Sequence, residues 1–167
     1  MNRRAGFTLI ELLITITIMV ALIVLAVVNL RNNQIAARDE KRKSDATTIA
    51  QQLEIYYSSG SDPIATYPAG EYPSTDLVGT ETNVKAALRD LDPKALRAPD
   101  VSDASAMSFT PATSTTTPSP DVNAYVYMPL TSSNTLCQTA ASECRKFYLF
   151  YTSESSGTVQ TITSKQQ

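Results

Sequence analysis

From Phe7 to Leu30 the chain reads FTLIELLITITIMVALIVLAVVNL, an apolar run broken by one charge, Glu11. About 20 apolar helical residues cross the roughly 30 Å hydrocarbon core of a bilayer, so this run is long enough to span one. It is longer than the roughly 7–15-residue apolar core of a secretory signal peptide, and no small-x-small site follows it cleanly. Neither Pro nor Gly occurs from Phe7 to Ser59. One helix over 7–58 is therefore expected, about 75–80 Å long at 1.5 Å per residue. Its second half carries Ala46, Ile49, Ala50, Leu53 and Tyr57, the i, i+3, i+4, i+7, i+11 stripe of an amphipathic helix. Its weak point is Asn29 to Asn33, rich in poor helix formers. Residues 7–30 form the apolar half of this element and 31–59 the amphipathic half.

Beyond Ser59 the helical period stops. Gly60, Pro63, Pro68, Gly70, Pro73 and Gly79 are loop punctuation. Asn83 is an N-cap candidate, and Val84, Ala87, Leu88 and Leu91 share one face, which predicts a short helix over 83–91. Residues 110–121, TPATSTTTPSPD, are Ser/Thr/Pro-rich. They read as a mobile surface loop of a composition that can carry O-linked sugars. Three β-rich runs then follow: 124–128, 147–151 and 158–162, with Gly157 in a turn position before the third. The first two suit an antiparallel pair across a long connection. The fold class is α+β: a long N-terminal helix packed on a C-terminal antiparallel sheet of three or four strands. Residues 60–121 are the connection and 122–167 the sheet.

Composition sharpens this picture. The 167 residues carry a formal charge of −2, which divides into +4 over residues 1–43 and −6 over 44–167. An acidic outer part argues against nucleic acid as a partner, since that surface needs a basic patch. The chain has no histidine, which excludes Ser-His-Asp and Cys-His catalysis and His-ligated metal. No phosphate loop, nucleophile elbow or positioned carboxylate pair is present, so no enzyme activity and no cofactor is expected. Asp90, Asp92, Asp100, Asp103 and Asp121 lack EF-hand spacing and read as solvated loop acids. No metal ligand is assigned.

The charged run Arg38-Asp39-Glu40-Lys41-Arg42-Lys43 reads as a solvated helix face laced by i, i+4 pairs, ahead of an anionic-lipid site, which prefers an unbroken basic run. Cys137 and Cys144 are the only cysteines. A metal pair would lack two ligands, and the spacing is not that of a CxxC redox site. A structural disulfide on an oxidising outer face, tying the connection between the first two strands, is the expected use.

Glu11 is the informative residue. A carboxylate inside a bilayer costs roughly 2.5–3.5 kcal/mol near a helix centre. Either it lies near the end of the span and reaches the headgroups, or it meets a cation at its own depth. Arg3 and Arg4 precede the span and argue for a cytoplasmic N-terminus. The far flank from Arg31 to Lys43 is also basic, but the N-terminal segment is too short to be worth exporting, which leaves the polar bulk outside.

The segment Arg4-Ala5-Gly6-Phe7-Thr8-Leu9-Ile10-Glu11-Leu12-Leu13 resembles the class III signal of type IV pilins and pseudopilins, a short basic leader ending in Gly before Phe-Thr-Leu-Ile-Glu and an apolar helix. The resemblance implies a leader, residues 1–6, removed between Gly6 and Phe7 by a prepilin peptidase, with N-methylation of Phe7. It implies that Glu11 pairs with the Phe7 amine of a neighbouring subunit, so that two buried charges cancel. Loss of Arg3 and Arg4 would make the mature charge −4. Gly70-Glu71-Tyr72-Pro73 and Leu91-Asp92-Pro93 are similar to segments of pseudopilins, although no Trp or Gly follows Pro93.

On this resemblance the fold is pilin-like and the chain is a structural subunit of a type IV pilus-like filament. Its implied partners are copies of itself, the prepilin peptidase, an assembly platform with its ATPase, and the cytoplasmic membrane. It would begin as a single-pass membrane protein and end in a surface pilus. The alternative is a pseudopilin of a type II secretion or DNA-uptake system, ending in a periplasmic pseudopilus. A single-span protein with a binding or enzymatic ectodomain ranks below both, because Glu11 would then lack a partner.

Overall fold

The computed structural model describes residues 8–60, 69–101 and 106–166. Phe7 at the expected helix start, Pro63, Pro68 and Asp103 lie outside them. The elements, in chain order, are α1 (Leu9–Ser59), a 3-10 turn (Thr75–Leu77), α2 (Glu81–Ala87), a second 3-10 turn (Pro93–Leu96), β1 (Phe109–Pro111), β2 (Tyr125–Leu130), β3 (Lys146–Thr152) and β4 (Val159–Thr163). Two compact units are found, Met1–Ala37 and Arg38–Gln167.

Helix α1 is continuous through Asn29–Asn33, so the poor helix formers there do not break it. It stops at Gly60, whose φ is +71° and whose N–H reaches the Tyr56 carbonyl at 2.7 Å. That left-handed C-terminal position is one a glycine adopts without a Cβ penalty.

Within Arg38–Gln167 the predicted stripe is buried from Ala46 to Leu53, and Tyr56 rather than the expected Tyr57 is its fully buried continuation. Ala46, Ile49, Ala50, Leu53 and Tyr56 are at most 7% exposed, while Tyr57 packs partly buried against the same cluster. The stripe meets one face of a four-stranded sheet of order β1-β2-β3-β4. Side chains alternate across a strand, so Tyr125 and Tyr127 of β2 and Phe147, Leu149 and Tyr151 of β3 face that cluster. Met128, Leu130 and Phe150 join Ala112 in a second cluster. The sheet is thus packed against the helix on one face, and on the other a smaller cluster with connecting-segment residue Ala112 buries part of β2 and β3.

Four expectations need correction. The sheet is mixed, because β1 pairs parallel with β2 in the register Phe109↔Tyr125 to Pro111↔Tyr127. The β2–β3 and β3–β4 pairings are antiparallel. Strand β1 is three residues long and ends inside the Ser/Thr/Pro-rich segment, too short and too polar in its surroundings to show a strand period. That segment is also not loose throughout. Ala112 is buried and donates to the Tyr127 carbonyl at 2.7 Å, and Pro120 is buried with its carbonyl accepting from Thr152 Oγ1 at 2.5 Å. The short helix is Glu81–Ala87 rather than 83–91, and its N-cap is Thr80, whose Oγ1 accepts from the Asn83 N–H at 3.2 Å. The earlier hydroxyl takes the capping role, and Leu88, at ψ 69°, has left the helix.

The fourth correction concerns the charged run. Lys41 does pair with Asp45 at i, i+4, but Arg42 is only 1% exposed. It stands four residues before Ala46, on the buried stripe. Its Nε donates to the Val122 carbonyl at 2.7 Å, and its Nη1 lies 3.1 Å from Asp39 Oδ1 and 3.0 Å from Glu154 Oε2. Arg38 adds a second guanidinium, with Nη2 2.5 Å from Glu154 Oε1 and Nε 2.9 Å from Asp100 Oδ2. Asp39 in turn accepts the backbone N–H groups of Glu154 (2.7 Å) and Ser155 (2.9 Å) and the Ser153 hydroxyl (2.9 Å). One turn of α1 therefore holds the β3–β4 connection by charge-assisted hydrogen bonds.

These contacts set the local titration. Burial pushes the Asp39 carboxyl up, but hydrogen bonds from Ser155, Glu154 and Ser153 outweigh it and hold it well below the usual range. The Arg38 hydrogen bond lowers Glu154. Asp45 goes the other way, raised by burial despite Lys41.

The remaining connection is tied to the same core. Tyr72 is 2% exposed, lies edge-on to Phe147 at a ring separation of 4.9 Å, and donates to Glu54 Oε2 at 3.0 Å. Cys137 and Cys144 form a disulfide with Cα atoms 5.7 Å apart. Their carbonyls accept the N–H groups of Thr75 (3.0 Å) and Tyr72 (2.9 Å). The bridged loop thereby anchors the Gly70–Pro73 segment as well as joining β2 to β3.

Candidate functional site: the exposed apolar helix

Within Met1–Ala37 the described part of α1 has no apolar partner. Fifteen large apolar side chains from Leu9 to Leu30 are exposed, the least of them Val27 at 43%. By length and composition this stretch can cross a membrane. A contiguous apolar surface of this extent is unsustainable in water, where patches beyond a few hundred Å² mark an interaction surface. It requires lipid or other apolar helices around it.

The hydroxyls on this stretch are already satisfied. Thr15 Oγ1 donates to the Leu12 carbonyl at 2.9 Å, and Thr17 Oγ1 to the Ile14 carbonyl at 2.8 Å. Such back-bonding lets Thr sit in an apolar medium without a bare donor. Glu11 is the one ionisable side chain here.

The start of the helix explains the local role of Glu11. Its Oε2 accepts from the Thr8 N–H at 2.9 Å and from Thr8 Oγ1 at 2.8 Å, while its own N–H lies 3.4 Å from Thr8 Oγ1. Thr-x-x-Glu with this reciprocity is a capping box. A carboxylate in the first turn also suits the positive end of the helix dipole. Among the described residues Glu11 Oε1 has no hydrogen-bond partner. Gly6 and Phe7, the expected cleavage pair, lie outside the described residues.

Three of the loop acids serve structure. Asp92 Oδ1 accepts from the Lys94 N–H at 2.9 Å, Asp121 Oδ1 from the Asn123 N–H at 2.8 Å, and Asp100 pairs with Arg38. Among the described residues no group of three or more His, Cys, Asp or Glu is placed to hold a metal ion. The burial of Arg42 beneath half-buried Arg38, Asp39 and Glu154 was not foreseen. Its one sequence signal is that Arg42 continues the Ala46 stripe backward by four.

Residues 1–27 match the family described as the prokaryotic N-terminal methylation motif. This is the class III signal segment of type IV pilins and pseudopilins. The match covers Gly6, Phe7, Glu11 and most of the apolar run. No curated protein and no solved structure matches the chain.

Proposed function

We propose that this chain is a structural subunit of a type IV pilus-like filament. It is cut between Gly6 and Phe7 by a prepilin peptidase and methylated on the new Phe7 amine. The observation that carries the reading is the helix from Leu9 to Leu30, with every described large apolar side chain exposed and one carboxylate, Glu11, in its first turn. A lipid bilayer covers that surface before assembly and neighbouring helices cover it afterwards. Arg3 and Arg4 favour a cytoplasmic N-terminus, with Arg38–Gln167 as an outward head. The work is assembly rather than catalysis.

Glu11 sets register in this scheme. Its Oε2 caps its own helix through Thr8 and its Oε1 is left for the Phe7 amine of the next subunit. Two opposite charges that meet in an apolar core are tolerable, whereas either alone is strongly penalised. The test is mass spectrometry and filament shearing in cells expressing variants. Gly6→Leu should leave the chain starting at Met1. Glu11→Leu should still yield a methylated Phe7 terminus but lower incorporation into filaments at least tenfold. Normal incorporation of Glu11→Leu would sink the pairing scheme.

The resemblance of Gly70–Pro73 to pseudopilins favours a second reading, a short periplasmic pseudopilus serving secretion or DNA uptake. Imaging of cells for long surface fibres that contain this chain separates the two.

A further inference from the structure

Strand β4 is an outer strand of the sheet, with β3 on one side and, among the described residues, nothing paired on the other. Its pairing with β3 fixes which backbone groups the free edge offers. The Ser164 N–H donates to the Phe147 carbonyl at 3.0 Å, and the Ser153 N–H to the Thr158 carbonyl at 3.0 Å. Bonded and non-bonded pairs alternate along an antiparallel ladder. Thr158, Gln160, Ile162 and Ser164 therefore turn their backbone groups toward β3, and Val159, Thr161 and Thr163 turn theirs away.

Such an edge is a template for another strand, and proteins usually blunt it with Lys, Pro, a bulge or a cover. Residues 159–163 read VQTIT, without charge or Pro, and pair one for one with Tyr148 to Thr152, without a bulge. The opposite edge is blunted. The Tyr125 N–H donates to the Ser108 carbonyl at 2.8 Å and the Ala112 N–H to the Tyr127 carbonyl at 2.7 Å. Phe109 and Pro111 are thus the outward positions of β1, and Pro111 has no N–H.

The free edge ends beside a cation. Lys146, Tyr148, Thr163 and Ser164 line a cavity of about 130 Å³. Lys146 and Tyr148 lie on one face of β3, and Thr163 stands opposite Tyr148. Ser164 Oγ is engaged, accepting from the Phe147 N–H at 3.2 Å and donating to the Gln166 carbonyl at 2.8 Å. Among the described residues, neither the Lys146 ammonium nor the Tyr148 hydroxyl has a hydrogen-bond or ion-pair partner. Tyr72 and Tyr127, in contrast, donate to Glu54 and to the Pro73 carbonyl.

We propose that the outer edge of β4 receives an extended segment of a different protein by strand addition, with an Asp or Glu of that segment seated against Lys146 and Tyr148. The incoming backbone bonds to Val159, Thr161 and Thr163. Its alternate side chains lie on the outer face of the sheet, where the one beside Thr163 enters the cavity. There a carboxylate accepts from Lys146 Nζ and from the Tyr148 hydroxyl. The main chain supplies affinity and the carboxylate sets register. A second copy of this chain fits less well. Pairing β4 with β4 needs a two-fold axis, which screw-related subunits of a filament do not share. Strands β1 and β4 run in the same direction, but the β1 edge offers a single outward N–H, that of Phe109. The case against a copy rests on the filament reading, whereas the open edge and the cavity do not.

The test adds two acetylated and amidated heptapeptides to the full isotope-labelled chain in detergent. Glu-Val-Thr-Ile-Thr-Val-Thr places its acid beside Thr163 in an antiparallel pairing, and Thr-Val-Thr-Ile-Thr-Val-Glu does so in a parallel one. Amide exchange and chemical shift are read by NMR. With one of the two peptides, exchange at Val159, Thr161 and Thr163 should slow by about tenfold or more at saturation. Replacing its Glu by Gln should weaken binding about two- to fivefold. Lys146→Ala should erase that difference and leave the unfolding transition in place. Of two versions N-methylated at neighbouring central residues, one should lose binding and the other keep it, as the amide faces β4 or water. No slowing at the three amides with either peptide at millimolar concentration overturns the proposal, as does equal binding by both N-methylated forms. Slowing without peptide that grows with protein concentration makes the edge a contact between copies and overturns the assignment to a different protein. The filament reading is scored apart, by the Gly6→Leu and Glu11→Leu variants, and stands or falls independently of these outcomes.

Discussion

Arg42→Met is the sharpest test of how the head is held together. The substitution keeps an unbranched apolar stem on the buried stripe and removes a guanidinium that is 1% exposed. Three acceptors lose a donor: the Val122 carbonyl, Asp39 and Glu154. A hydrogen bond involving a charged group contributes about 1.5–3 kcal/mol, but the losses do not add. Asp39 keeps its three donors from Ser153, Glu154 and Ser155, Glu154 keeps Arg38, and the burial penalty of the guanidinium itself disappears. The expected net loss is about 2–3 kcal/mol, rising to about 3–5 for Arg42→Ala, where a cavity is added. All eight tyrosines follow Ala37 and the chain has no tryptophan, so the tyrosine band of near-ultraviolet circular dichroism reports Arg38–Gln167 alone. In urea, with a slope of about 1–3 kcal/mol per molar, the midpoint of the full chain in detergent should fall by about 1–2 M. Lys43→Met, at an exposed neighbour, should change stability by less than about 0.5 kcal/mol. A double-mutant cycle with Glu154→Gln should show coupling of about 1 kcal/mol or more. If Arg42→Met matched Lys43→Met, or the cycle were additive, the cluster would be an accidental surface network.

Acid should weaken the same unit. Asp39 and Glu154 are held below their ordinary values, so their contribution is full above the unfolded carboxylate range, about pH 4–4.5, and is lost as pH falls through the lowered folded values. Asp45, raised by burial, has the opposite sign and gains as it protonates. Asp39→Asn should therefore flatten the fall in urea midpoint between about pH 5 and pH 2, and an unchanged slope would assign the acid response elsewhere. Replacing both Cys137 and Cys144 by Ala should cost about 2–3 kcal/mol, by the chain-entropy relation for a short loop. Amide exchange should speed up first at Tyr72 and Thr75, whose N–H groups the bridged loop accepts. Leu53→Ala, at 0% exposure on the packed stripe, should cost about 2–5 kcal/mol, read as a lowered urea midpoint.

What the sequence makes legible here is what repeats locally. The apolar run and the Ala46, Ile49, Ala50, Leu53 stripe announce one long helix and its packed face, because each turn of helix repeats the signal. Strands β2, β3 and β4 announce themselves by aromatic and β-branched runs. Two features escape for physical reasons. Strand β1 is defined by its partner Tyr125–Tyr127, and three residues carry no period of their own. The burial of Arg42 depends on Glu154, which is 112 residues away. Read alone, an arginine in a charged run belongs to solvent. Only its spacing to Ala46 says otherwise.

The candidate site divides along the same line. Glu11 is legible because its cost is local: one carboxylate in an apolar run demands a reason wherever the helix goes. The single chain supplies half of that reason, since Thr8 uses one carboxylate oxygen as a helix cap. A cap alone does not need a carboxylate, because a glutamine at the same position also closes a capping box without placing a charge in lipid. The charge is therefore the part that the proposed pairing with a second molecule has to explain, and Glu11→Gln separates the two roles. If capping were the whole function, Glu11→Gln would assemble as the parent chain does. If the charge meets an amine of the next subunit, Glu11→Gln should process and insert normally but incorporate into filaments as poorly as Glu11→Leu.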